Sequence, residues 1–129
     1  MMAKQGTTIH IKRVYEEPSA EDGLRVLVDR LWPRGIRKDE AQVDQWLKDV
    51  APSDDLRRWY GHDPEKFAEF RQRYRDELTQ GSGKEGWTQL QQLAEEAGKQ
   101  HRALTLVFGA KDVEHSNARV LRDLLTGEH

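Results

Sequence analysis

The 129-residue chain contains no cysteine. That single absence removes thiolate nucleophiles, thiolate metal ligands and disulfides together, and it suits a reducing compartment. Proline is scarce, at four residues, and no apolar run approaches the roughly 20 residues that a membrane helix needs. The opening MMAKQGTT lacks the apolar core of a signal peptide, so the expectation is a cytoplasmic chain with no membrane partner. An excess of one charge is missing too. Twenty-one Lys and Arg stand against 23 Asp and Glu, and a net charge of -2 gives no general attraction to nucleic acid or anionic lipid. Any polyanion contact must then come from a local basic patch. The five histidines, at positions 10, 62, 101, 115 and 129, are scattered, without HxH or HExxH spacing, so neither a metal site nor a metal cofactor is expected. The phosphate fingerprints GxxxxGK[ST] and GxGxxG are absent as well, and the chain names no organic cofactor.

What is present begins with charge. Charged residues make up 34% of the chain, above the roughly 25% usual for globular domains, which predicts a well-solvated surface. Arginine outnumbers lysine by 13 to 8, favouring planar, bidentate pairing with carboxylates or phosphates. The length predicts one domain spanning residues 1–129, large enough to bury a core without disulfide or metal staples.

The chain is organised around residues 24–35, LRVLVDRLWPRG. Leu24 to Val28 are β-rich and apolar with little alternation, the pattern of a strand covered on both faces. Asp29, Arg30, Trp32, Pro33, Arg34 and Gly35 follow where that strand should stop, and in open α/β sheets ligand sites lie beyond the carboxyl ends of strands. Upstream, TIHIKRVY alternates Ile9 and Ile11 against Thr8, His10 and Lys12, a half-covered first strand. The loop EEPSAEDG joins the two, with room for one helical turn after Pro18, and leaves their relative direction open.

From Asp39 the period turns helical. Val43, Trp46, Leu47 and Val50 fall at i, i+3, i+4 and i+7, which predicts an amphipathic helix ending before Pro52. Ser53 then caps a short helix through Leu56, Trp59 and Tyr60 that Gly61 ends. Asp63-Pro64 starts a longer one carrying Phe67, Phe70, Tyr74 and Leu78, broken by Gly81-Ser82-Gly83. Trp87, Leu90, Leu93, Ala94 and Ala97 form a further stripe closing near Gly98. ALTLVF at 103–108 reads as a second central strand, and after the turn from Gly109 to Asn117 a last helix carries Ala118, Leu121, Leu124 and Leu125 to Gly127. The expected fold is a small α/β domain, with a short, mainly parallel sheet flanked by about five helices.

Two blocks carry the chemistry. If the central strands are parallel neighbours, Arg30 and Arg34 meet Lys111 and the N-terminus of the last helix, whose free N–H groups and partial positive charge suit an anion. Asp29 and Arg30 read equally as salt-bridge partners of a neighbouring helix, and Trp32 as packing beneath a loop. Arg34, between Pro33 and Gly35, has the least structural excuse. Asp112 and His115 stand at D-x-x-H spacing, which can orient an imidazole for proton transfer or simply cap a helix. Arg57, Arg58, Trp59 and Tyr60 with Arg71, Arg73 and Arg75 interleave base and ring as a single-strand nucleic-acid surface does. Asp54, Asp55, Asp76 and Glu77 among them favour a plain solvated helix face instead.

The IKRVY opening, the DG before the central strand, DRLWPRG, WYGHDPEKFAEFRQRY and the closing AKDVEH block together resemble the YeaO-like bacterial proteins. These are a branch of the four-eighty-eight family of domains of unknown function. The resemblance implies a small α/β fold with both motif blocks at one sheet edge, and it supplies no activity. Its signature positions here are Asp29, Arg30, Trp32, Pro33, Arg34 and Gly35, then Lys111, Asp112, His115 and Asn117. Other branches of the wider family carry Cys and His in the second block. With no Cys here, only binding or non-thiol acid/base roles survive.

The resulting expectation is an anionic, phosphate-bearing small molecule held by Arg30, Trp32, Arg34, Gly35, Lys111, Asp112 and Asn117. Asp29 and His115 are the candidate proton-transfer groups if turnover occurs. The competing expectation is an accessory module for a nucleic acid or protein partner. An oligomer interface built from Trp46, Trp59 and Trp87 stays open.

Overall fold

The computed structural model describes residues 7–127; the leading MMAKQG and the closing Glu128 and His129 lie outside them. Four strands make one fully parallel sheet: β1 (Ile9–Arg13), β2 (Leu24–Leu27), β3 (Gln45–Trp46) and β4 (Leu104–Phe108), in the order β1-β4-β2-β3. The two apolar runs are therefore the two inner strands, with Val26 opposite Leu106. The first two strands are parallel but not neighbours, because β4 inserts between them. That placement is what a one-chain reading of their short connection leaves undetermined.

Five α-helices complete the small α/β domain: α1 (Lys38–Ala41), α2 (Asp54–Tyr60), α3 (Phe67–Gln80), α4 (Lys84–Lys99) and α5 (Asn117–Thr126). Period 2 along the strands sorts their side chains between two cores. Val26, Val28, Leu104, Leu106 and Phe108 face the layer of α2 to α5, against Leu56, Phe70, Tyr74, Leu90 and Leu121. Leu27, Val107 and Val14 face the other way, under a cover of Trp32, Ile36, Ala41, Val43 and Trp46. Ser53 and Asp63 cap as expected, and Gly61 and Gly127 end α2 and α5 with positive φ. A 3₁₀ turn, Pro64–Lys66, precedes α3, and another, Ala20–Asp22, occupies the turn after Pro18. Helix α4 runs through Gly98 to Lys99. Its Gly86 lies so close to Asp49 that a Cβ there would stand 2.5 Å from the Asp49 carbonyl.

The helix expected from Asp39 is not there. α1 stops after one turn at Gln42, whose φ of 50° is left-handed, and the chain becomes β3 and then a 3₁₀ turn, Lys48–Val50. The reason lies in tertiary hydrogen bonds. Asp44 N–H donates to Arg25 O at 2.8 Å and Leu47 N–H to Leu27 O at 2.9 Å, so the open edge of β2 claims backbone groups that a helix would have used. The apparent stripe then divides. Val43 and Trp46 pack into the smaller core, while Leu47 and Val50 join the larger one.

Two buried polar clusters fasten this frame. Asp22 pairs with Arg25 at 2.6 Å and Lys12 at 2.9 Å, while Arg25 also donates to Ala41 O and Gln42 O, tying β2 to α1. Asp123 on α5 accepts from Arg71 of α3 and from Arg119. Among the described residues no helix is long and apolar enough to cross a membrane.

Candidate functional site

The carboxyl ends of β2 and β4 open into a cavity of about 430 Å³. Both motif blocks reach it, as the parallel sheet requires. Asp29, one residue past the buried Val28, turns its carboxylate toward the exit of β4, where Oδ2 accepts from Gly109 N–H at 2.9 Å. Oδ1 accepts from the Asn117 amide at 3.3 Å, and the same amide donates to Val28 O at 3.2 Å. Asn117, the first residue of α5, thus ties the two strand ends together. Burial pushes the Asp29 carboxyl above its ordinary value, and the Gly109 N–H, the Asn117 amide and the charge of His62 offset only part of that.

The loop after Asp29 forms the outer lip. Trp32 donates through Nε1 to Ile36 O at 2.7 Å and meets Trp46 edge-on at 5.3 Å, so it packs beneath the loop and also lines the cavity. Trp46 donates to Asp29 O at 2.8 Å, fixing the backbone of the carboxylate residue. Arg30 leaves the strand end to meet Asp54 of α2 at 3.3 Å, and Arg57 shares the same carboxylate. Arg34 lines the cavity with no ion pair among the described residues, while its carbonyl accepts from Tyr15 Oη at 2.8 Å. Gly35 has φ of 76°, the left-handed conformation that lets the loop turn, and it does not line the cavity.

On the opposite wall His115 and Asp112 form the expected pair, with Nδ1 2.8 Å from Asp112 Oδ2. Asp112 also caps the 3₁₀ turn Val113–His115, so the capping and orienting readings hold at once. The His115 ring stands edge-on to Phe67 at 5.1 Å and lines the cavity; Asp112 stands behind it, outside the lining. Lys111 is exposed and does not line the cavity. Ser116 uses its hydroxyl at home, donating to Val113 O and accepting from Arg119 N–H.

Several lining residues were not placed at this site by the sequence. Tyr15 follows β1, and its position becomes readable only once that strand is known to run parallel to β2 and β4. Arg57, Tyr60 and His62 come from α2 and the residues beyond it, and Phe70 from α3. Tyr60 donates to His115 O at 2.7 Å; burial, then the charges of Asp112 and Asp63, push its hydroxyl up to about 12. Behind the wall Arg13 donates to Ala110 O at 2.9 Å and Gly109 O at 3.3 Å, holding the exit of β4. Tyr15 and Leu31, 45% and 67% exposed, are the large hydrophobic side chains left open to solvent among the described residues, and both stand at this cavity.

The basic and aromatic helix face is more self-contained. Arg58 pairs with Asp55, Arg73 with Glu69 and Arg71 with Asp123, while Trp59 lies between Lys66 and Arg73. Trp46, Trp59 and Trp87 are each packed against their own chain. Among the described residues no cluster of three or more His, Asp or Glu is disposed to hold a metal ion.

A small parallel α/β domain with a cavity at the carboxyl ends of its inner strands, lined by residues of DRLWPRG and by Ala110 and His115 of AKDVEH, is the class that the geometry defines. A family model described as "Inactive DUF488-N3 subclade" matches residues 8–129, and the chain belongs to that family. It is 46% identical over 121 residues to the uncharacterized protein Rv3073c of Mycobacterium tuberculosis, covering 94% of this chain and 96% of that one. It is 43% identical over 117 residues to the uncharacterized protein YeaO of Escherichia coli, covering 91% and 96%. No solved structure matches.

Proposed function

We propose that the cavity binds an anionic, phosphate-bearing small molecule and holds it without turnover, in a cytoplasmic setting. The observation that carries this reading is Arg34, a guanidinium without an ion pair among the described residues, on the lip of the cavity at the carboxyl ends of the inner strands. Arg30 and Arg57 share Asp54, which leaves the Arg34 guanidinium as the lining cation without an ion pair among the described residues. The N-terminus of α5, at Ser116 and Asn117, adds its partial charge from the far wall. Lys111 drops out of the anion set because it stands outside the lining.

Binding without chemistry fits the state of the polar groups. Asp29 already accepts two hydrogen bonds, Ser116 is committed as a helix cap, and the Tyr60 hydroxyl, pushed up to about 12, is a poor proton donor near neutrality. The family's description as inactive agrees. A nucleic-acid or protein partner is the weaker reading, because most arginines of the α2 and α3 face are spent on local carboxylates.

The test is a thermal-shift screen of phosphate, phosphate esters and nucleotides on the wild type and on Arg34→Ala. A specific ligand at a hundred times its Kd stabilises by roughly 2.7 kcal/mol, and Arg34→Ala should remove that rise. A rise of equal size in Arg34→Ala overturns the assignment. Binding to single strands that falls log-linearly with salt would move the function to the helix face.

A further inference from the structure

The two sides of the cavity differ in hydrogen-bonding sense. The inner wall offers acceptors. Each Asp29 oxygen takes one hydrogen bond, from Gly109 N–H or the Asn117 amide, and keeps lone-pair capacity in excess of it, with no salt-bridge partner among the described residues. The Asp112 carboxylate can only accept, so the His115 proton at the 2.8 Å contact is on Nδ1, the tautomer in which Nε2 is the acceptor on the cavity side. The outer lip presents guanidinium donors, Arg34 without an ion pair among the described residues and Arg30 and Arg57 sharing Asp54.

A bare anion satisfies the lip but sets its own oxygens against Asp29. A cationic ligand satisfies Asp29 but meets the Arg34 guanidinium. A molecule that suits both sides brings hydroxyl donors inward and negative charge outward. Resting on the anion-binding reading above, we infer that the ligand is a phosphorylated polyol, a phosphate monoester with free hydroxyls, its phosphate at Arg34 and its hydroxyls at Asp29 and His115. About 430 Å³ lies within the roughly 300–1,000 Å³ of small-molecule sites. A free sugar phosphate and a nucleoside monophosphate share this chemistry.

Isothermal titration with glycerol 3-phosphate and propyl phosphate isolates the hydroxyls, because the two differ in little else. Wild type should bind glycerol 3-phosphate about tenfold more tightly. Asp29→Asn and, separately, His115→Phe should bring that ratio toward one, through weaker glycerol 3-phosphate in both and, in Asp29→Asn, propyl phosphate bound at least as tightly as in wild type; Phe at 115 preserves the ring contact to Phe67. Tighter ribose 5-phosphate than adenosine monophosphate would support a free sugar phosphate; the reverse order would support a nucleotide. Equal affinity for glycerol 3-phosphate and propyl phosphate in wild type overturns the polyol assignment and leaves the anion site standing. No binding of either overturns both.

Discussion

Asp22 and Asp29 stand at opposite ends of β2, and their carboxyl groups shift in opposite directions. Burial acts to raise both. At Asp22 the hydrogen bonds from Lys12, the Ser19 N–H and Arg25 outweigh it and hold the carboxyl below its ordinary value. At Asp29 the contacts are neutral donors, Gly109 N–H and the Asn117 amide, and burial wins. One carboxylate has its counter-charges inside the fold; the other faces a cavity. The hollows beside them differ in the same way. The amino-end hollow is the larger, about 810 Å³ against about 430 Å³; Arg25 and Asp44 are engaged internally there, Arg25 with Asp22 and Asp44 with the Arg25 N–H, while Glu17, Glu21 and Arg102 line it as exposed surface charges. What separates the two ends is the buried carboxylate at each: one that meets only neutral donors bears a desolvation cost that a ligand can relieve.

The comparison is broken most severely at Asp22. Asp22→Asn leaves Arg25 buried without its counter-ion and should cost about 3–5 kcal/mol in urea unfolding. A loss below ~1 kcal/mol would mean that the pair is not structural. Tyr60 gives the next largest effect, at alkaline pH. Its folded value of about 12 exceeds the ordinary 10, so the stability it contributes is complete below pH 10 and is lost as pH rises toward 12. Two units correspond to on the order of 2–3 kcal/mol, and Tyr60→Phe should flatten the stability profile across that window.

Asp29→Asn should change stability at neutral pH by less than about 1 kcal/mol, in contrast to Asp22→Asn. The pH dependence separates the two aspartates by sign. Asp22, with a lowered folded value, stabilises above the ordinary aspartate range and loses that contribution as pH falls through its folded value. Asp29, with a raised folded value, favours the fold most at low pH and loses this as pH rises from the ordinary value through the raised one. Urea midpoints for both variants across the acid range would show opposite differences from wild type. The smallest stability change belongs to Arg34→Ala, expected within about 0.5 kcal/mol. A larger loss would show that Arg34 supports the loop rather than a ligand.

Much of this frame was legible in the residues. The runs at 24–28 and 103–108 announced inner strands because burial on both faces leaves no polar alternation, and Ser53, Asp63 and Gly127 marked helix ends by cap chemistry. Residues 43–50 misled because a two-residue strand supplies no period of its own. The edge of β2, distant in sequence, decided their backbone. At the site, Asp29, Arg34 and His115 were visible as charge where strands must end. Lys111, chosen for its proximity to the helix start, stands outside the cavity lining, and Tyr15, Arg57 and His62 depend on strand order and helix placement that spacing does not encode.

The most direct measurement is an amide NMR titration of the wild type with propyl phosphate, a probe with charge and no hydroxyl. The cavity assignment predicts saturable shifts at Arg34, Gly109, Ser116 and Asn117, with Gly23, Gln42 and His101 at the opposite end of the sheet unmoved. Shifts concentrated at Gly23, Gln42 and His101, or none at Arg34 and Gly109, would contradict it.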